Sequence, residues 1–218
     1  PYTLKYESNS LFYYSDVTTY DEQYALRANN FAVSVSNVKN NFNVKKLAEM
    51  VLYDRKTSEV LDSETVDSGK VVIDQTQLDE IKSAQDKYVQ RASNSDHPET
   101  EDYSDIIKPY PLTMTYTYSE NGTSKTLERI ITVFVTNETT KVAKDQNKVI
   151  YAFGFRYPLR KAAQLDDAAI VDMSHAKAWN YDNVWGTGAA ETTGFQTNRE
   201  AAYNQTDESL TGVNNART

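Results

Sequence analysis

Two histidines, His97 and His175, and no cysteine set the limits on side-chain chemistry in this chain of 218 residues. A Ser–His–acid arrangement needs a histidine held in a folded pocket beside its nucleophile. His97 stands next to Pro98 in a polar stretch, and His175 falls at the end of an expected helix, where an imidazole meets the helix dipole. Neither position reads as catalytic, so no catalytic residue is assigned and the chain is expected not to be an enzyme. The lack of cysteine also removes disulfides, thiol nucleophiles and thiolate metal sites, and it suits either a cytosolic protein or a bacterial surface protein that relies on packing.

Carboxylates and tyrosines offer more. Asp96, Glu99, Glu101 and Asp102 cluster within a few residues. Such oxygens suit Ca²⁺, but the cluster lacks the spacing and the glycine of an EF-hand loop, so no metal and no cofactor are expected. The plainer reading is a solvated loop. With Tyr103 and Tyr110 nearby, these four acids form the expected ligand-contact rim, because tyrosine rings anchor protein and sugar ligands. Tyr13, Tyr14, Tyr116, Tyr118, Trp179 and Trp185 add ring surface, although cross-strand packing accounts equally well for those on strand faces. Three Asn-X-Thr tripeptides, at Asn121, Asn137 and Asn204, match the glycosylation sequon and arise by chance in Asn- and Thr-rich chains.

The elements that position these groups follow from composition and periodicity. Sixteen tyrosines against seven phenylalanines, with abundant Thr, Ser and Asn, suit half-buried pleated surfaces. The net charge of −8, with no run of Lys and Arg, argues against nucleic acid. No run approaches the ~20 apolar residues of a membrane span, so no membrane insertion is expected. The chain begins at Pro1 rather than Met, which reads as a processed or excised piece.

Residues 2–20 read as one or two strands, and Phe31, Val33, Val35 and Val38 as a strand with one buried face. Asn43 is a candidate N-cap for a short helix carrying Val44, Leu47 and Val51. A strand is expected over Lys70–Asp74, and a helix capped by Thr76 that continues to about Ala92. Residues 93–105 read as an exposed acidic loop. Asn121-Gly122 between the alternating runs 111–118 and 127–135 is the strongest hairpin signal in the chain. Residues 137–148 are polar and read as a linker. Asp166 caps an expected helix from Asp167 to Ala176.

A faint internal repeat relates Ala28 and Phe31 to Ala152 and Phe155. It predicts one module over 1–136, with an acidic insertion at 93–105, and a partial or divergent second module over 149–218. The expected fold class is mainly β with short α-helices, with α+β as the alternative.

The segments Ala-Asn-Asn-Phe at 28–31, Lys-Leu-Ala at 46–48, Val-Val-Ile-Asp at 71–74, Gln-Leu at 77–78, Tyr-Pro-Leu-Thr-Met-Thr-Tyr at 110–116 and Lys-Thr-Leu at 125–127 lead into Ile-Thr-Val-Phe-Val-Thr at 131–136. Together they resemble the repeated immunoglobulin-like modules of Gram-positive, sortase-anchored (LPXTG-type) surface adhesins. The resemblance spans roughly residues 26–136, with a partial second copy from about 150 to 182; the acidic loop departs from the family's compact pattern. It implies an immunoglobulin-like β-sandwich, an extracellular, cell-wall-associated stalk or ligand-presenting role, and no cofactor. Its implied partners are a host or matrix protein or a glycan, together with neighbouring modules of the same chain. A carbohydrate-binding or carbohydrate-processing protein is the alternative, and a phage or host-associated receptor-binding protein is a third reading.

Some wall-anchored modules replace disulfides with a Lys–Asn isopeptide bond beside a proton-shuttling acid. The resemblance therefore points to Lys5 and Asn137, with Glu128 or Glu7 as the acid, against the plainer reading of all four as surface residues. Closing the bond releases one ammonia, so an intact mass lower than the sequence mass by one ammonia would mark it, and an unchanged mass would exclude it.

Overall fold

Short strands and side-chain-capped turns build the first layer. The structure is a computed structural model describing residues 18–39, 42–146 and 148–181. Strands β1 (Thr18–Tyr20) and β2 (Tyr24–Arg27) pair antiparallel across a turn in which Asp21 Oδ1 accepts from the backbone N–H groups of Gln23 and Tyr24. In β3 (Phe31–Ser34) the two hydrophobic residues at alternate positions face the core. The alternation predicted to run to Val38 stops earlier. A 3-10 turn at Val35–Asn37 takes over, and its three-residue repeat places both Val35 and Val38 in the core.

Helix α1 (Val44–Leu47) starts at the expected cap, with Asn43 Oδ1 accepting from Lys46 N at 3.1 Å. The helix ends at Leu47 and does not reach Val51, which instead opens β4 (Val51–Asp54), and the polar stretch that follows contains β5 (Val60–Ser63). Its acids are used internally. Asp54 Oδ1 closes the turn by accepting from Lys56 N and Thr57 N, while the fully buried Asp62 accepts from Lys45 Nζ at 2.7 Å and Val71 N at 2.8 Å. These strands form an antiparallel sheet in the order β1-β2-β4-β5.

The second sheet is organised by the hairpin. After β6 (Val72–Ile73) comes α2 (Gln75–Ser93), capped by Asp74, whose Oδ1 accepts from Gln77 N at 2.9 Å, two residues ahead of the expected Thr76. Ile81 and Ala84 are its buried positions. Strands β7 (Pro109–Glu120) and β8 (Thr123–Thr136) pair from Pro109↔Phe134 to Glu120↔Thr123. Asn121 and Gly122 take φ of 52° and 79°, the left-handed pair a two-residue hairpin turn requires. The sheet order is β3-β8-β7-β6, with β3 running parallel to β8.

Residues 137–148 do not form a free linker. They hold β9 (Lys141–Ala143), which pairs with β10 (Lys148–Tyr151), and β10 pairs in turn with β11 (Lys177–Asn180). Between them lies α3 (Asp167–Met173), capped as expected by Asp166 Oδ1 accepting from Ala169 N. Val149, Tyr151, Phe153, Trp179 and Tyr181 belong to the same buried cluster as Leu26, Leu52, Ile131 and Phe134, so one core runs across the expected boundary at 137–148. The suggested repeat also diverges: Phe31 is a buried strand residue, whereas Phe155 is half-buried in an irregular segment after β10.

The fold is mainly β, with three sheets and short helices. Among the described residues, no helix is long and apolar enough to cross a membrane. The rest of the second expected module, beyond residue 181, lies outside the described residues, as do Lys5, Glu7, Tyr13, Tyr14 and Trp185.

Asn30 joins the sheets to the C-terminal segment. Its Oδ1 accepts from Thr132 N at 2.8 Å, and its Nδ2 donates to Tyr181 O at 2.9 Å. Removing this side chain strands a buried donor and an acceptor, which costs about 1–3 kcal/mol per unsatisfied group. In urea unfolding, Asn30→Ala should therefore lose at least ~1 kcal/mol, while Ser124→Ala on the exposed end of the hairpin should stay within ~0.5 kcal/mol.

Candidate functional site

The turn between α2 and β7 supplies one wall of the site. This segment includes the expected acidic loop, which is mostly exposed over 93–105, and its chain turns inward at Tyr103. A 3-10 turn at Pro98–Thr100 brings the chain back, and Tyr103, Ile106 and Ile107 are buried. Arg91, in the last turn of α2, grips Asp105 through two parallel hydrogen bonds of 2.6 and 2.9 Å and also donates to Asp102 O at 2.5 Å. The guanidinium bonded to Asp105 holds that carboxyl below its ordinary range.

The opposite wall comes from the segment after β9. Phe153 N donates to Ser174 O at 2.8 Å, which ties β10 to the end of α3. His175 then takes a left-handed φ of 49° and pairs through Nε2 with Asp102 Oδ2 at 3.2 Å. Gly154 lies directly against the Glu99 carbonyl, and a Cβ there would collide with that backbone oxygen. The two segments are thus fitted to each other at the level of main chain.

Between them opens a cleft of about 420 Å³. Its apolar wall is aromatic: Tyr110, Tyr151, Phe153 and Trp179. Polar side chains also line it: Lys108, Lys177, His175, Glu80 and the Arg91-bound Asp105. Burial pushes the phenols of Tyr110 and Tyr151 well above their ordinary pKa, so both remain protonated donors at neutral pH. Tyr110 spends its proton on Ile106 O at 2.7 Å. The Tyr151 hydroxyl is buried and has no hydrogen-bond partner among the described residues.

The residues expected to form a ligand rim separate. Tyr103 is 4% exposed, with its hydroxyl donating to Pro98 O, so it is a core residue and is corrected from ligand contact to packing. Tyr110, at 5% exposed, does reach the cleft, but as part of its wall rather than as an open ring. Asp96 and Glu99 are solvent-facing; Glu99 Oε1 meets His97 Nδ1 at 3.2 Å. Glu101 accepts from Ser95 Oγ at 2.6 Å, and Asp102 Oδ1 from Ser104 N at 2.8 Å. The four acids do not converge, and among the described residues no group of three or more His or acidic side chains is placed to hold a metal.

Of the crosslink set, Asn137 and Glu128 are described, and they lie apart. Asn137 Oδ1 accepts from Thr139 N and from the hydroxyls of Thr139 and Thr140, closing a turn. Glu128 lies nine residues earlier along β8, about 30 Å away at the usual strand rise. Glu128 therefore cannot serve Asn137 as a proton shuttle.

Sequence reasoning missed Glu80, Asp105, Lys108, Tyr151, Phe153 and Lys177. No local motif marks them; only the burial of alternate residues Tyr151 and Phe153 hinted at a wall. No protein-family model, curated protein or solved structure matches the chain.

Two outcomes follow. Gly154→Ala should lower the unfolding midpoint and expose Trp179 to quenching by iodide, because Ala cannot approach the Glu99 carbonyl; an unchanged midpoint and quenching would mean that the walls do not touch. Asp105 has a folded-state pKa below the unfolded value of about 3.9, so its pairing stabilises the fold above that pH and is lost as pH falls through the lower folded value. Because Asp105 is largely exposed, the effect should be under ~1 kcal/mol. The stability gap between wild type and Asp105→Asn should be present at pH 7 and shrink as the pH falls below the unfolded value of about 3.9.

Proposed function

We propose that the protein is a non-enzymatic, extracellular binding module of the adhesin or stalk kind, associated with a cell wall, that seats its ligand in the aromatic-walled cleft. The observation that carries this reading is the cleft itself. At about 420 Å³ it lies in the roughly 300–1,000 Å³ range of ligand sites, and it combines an apolar wall with a few polar groups at its edge. A host or matrix protein, offering one inserted side chain, or a glycan is the partner class. The surface location rests on composition and on the adhesin-like segments of the sequence.

The carbohydrate-processing alternative has one observation in its favour, since Glu80 and Asp105 both line the cleft. Glycosidases work with two carboxylates that are free to donate a proton and to attack or activate water. Here both Asp105 oxygens are held by Arg91, and Glu80 stands exposed on α2. A hydrolytic triad is no better supplied: His175 and Asp102 pair at the surface, but Ser104 meets Asp102 through its backbone N–H.

A glycan array and pull-downs against matrix proteins, followed by product analysis of every bound ligand, test the proposal. The expected result is saturable binding, lost in Trp179→Ala, with the ligand recovered intact. Release of cleaved product at a rate that falls with Glu80→Gln would overturn it.

A further inference from the structure

The cleft holds an unbalanced set of polar groups. Lys108 Nζ lies over the Tyr110 ring, 5.0 Å from its centre, and among the described residues it makes no ion pair. Asp105, the acid next to it in the site, is already answered by the two hydrogen bonds from Arg91. Tyr151 is 2% exposed, and among the described residues its hydroxyl finds no acceptor. A buried donor left unmade costs free energy that an incoming acceptor would recover.

From these groups we infer that the cleft recognises a carboxylate attached to an aromatic body, with the carboxylate taken by Lys108 and the Tyr151 hydroxyl and the ring taken by Phe153 and Trp179. This deepens, and rests on, the proposal that the cleft is a ligand seat. A carboxylate has two oxygens and accepts only, which matches one ammonium and one phenol donor. A cationic ligand would be repelled by Lys108, and Asp105 beside it is already engaged by Arg91, which leaves Glu80 at the edge as its counter-charge. Glu80 at the edge disfavours a second negative charge, so the ligand is a monoanion. The C-terminal aromatic residue of a peptide and a free arylalkanoic acid share this chemistry.

Trp179 lies in the cleft wall and reports on it directly; with Trp185→Phe as background it is the one remaining tryptophan. The full chain is titrated by fluorescence with 3-phenylpropionate, 3-phenylpropanamide, and the peptide Gly-Gly-Phe as free acid and as C-terminal amide. At least one acid should perturb Trp179 and bind about tenfold or more tightly than its amide. A stronger response to the peptide acid assigns the chemistry to a chain terminus, and a stronger response to 3-phenylpropionate to a small acid. Lys108→Met should abolish the preference for acid over amide, and Tyr151→Phe should weaken the acid several-fold while leaving the amide unchanged. Unfolding midpoints for both variants separate lost binding from lost folding, and if Tyr151→Phe fails to fold, Lys108→Met decides alone.

Equal binding of acids and amides, or a preference that survives Lys108→Met, overturns carboxylate recognition while leaving the cleft a ligand seat. Silence of all four probes, with a ligand from the glycan or matrix screen whose binding is still lost in Trp179→Ala, does the same. Tight, Lys108-dependent acid binding in a protein that cleaves its ligand would instead overturn the non-enzymatic reading and leave carboxylate recognition standing.

Discussion

Both faces of β8 are buried, and the rest of the structure answers to that constraint. From Ile130 to Val135 every residue is enclosed, so Ile131, Val133 and Val135 need cover on one side and Ile130, Thr132 and Phe134 on the other. A strand in an open two-layer sheet alternates; one enclosed on both faces must lie between layers. Tyr181 covers the second face by stacking on Phe134 at 5.3 Å with the rings 13° from parallel. The segment from 148 to 181 is therefore a third layer over the hairpin rather than a bead beside it.

That docking makes the cleft. Where the third layer meets the segment entering β7, two strands of constraint converge: the Gly154 backbone against the Glu99 carbonyl, and His175 against Asp102. The layers close tightly there but leave a gap between the Pro109–Pro111 end of β7 and Trp179. Electrostatics then decide the character of the gap. On a chain with a formal charge of −8, Arg91 neutralises Asp105, Glu80 stays at the edge, and Lys108 and Tyr151 belong to the lining. A ligand seat of opposite preference to the bulk surface gains selectivity from that contrast, because an anion is repelled elsewhere.

The sequence was most legible where one local interaction fixed the answer. Asn121-Gly122 located the hairpin, and Asn43 and Asp166 located helix starts, because turn and cap chemistry acts within three residues. It was least legible where long-range partners decided. Asp54 and Asp62 made β4 and β5 look like a polar loop, although both acids are consumed inside the fold by a turn and by Lys45. Tyr103 looked like a ligand anchor because it stands among acids, yet Arg91 and Tyr88 fold over it, with the Tyr88 ring 4.5 Å away. The cleft residues come from α2, the entry to β7, β10 and β11, and no periodicity in the chain links them.

The central claim is that the third layer and the hairpin form one cooperative unit with the cleft at their seam. Native-state hydrogen exchange measures it directly. The amides of Val149, Tyr151, Ala178 and Trp179 should exchange with opening free energies that match those of Ile131 and Val133, and all should respond together to denaturant. Fast exchange across residues 148–181 with the β7–β8 ladder still protected would show an independently opening segment, and would contradict the account.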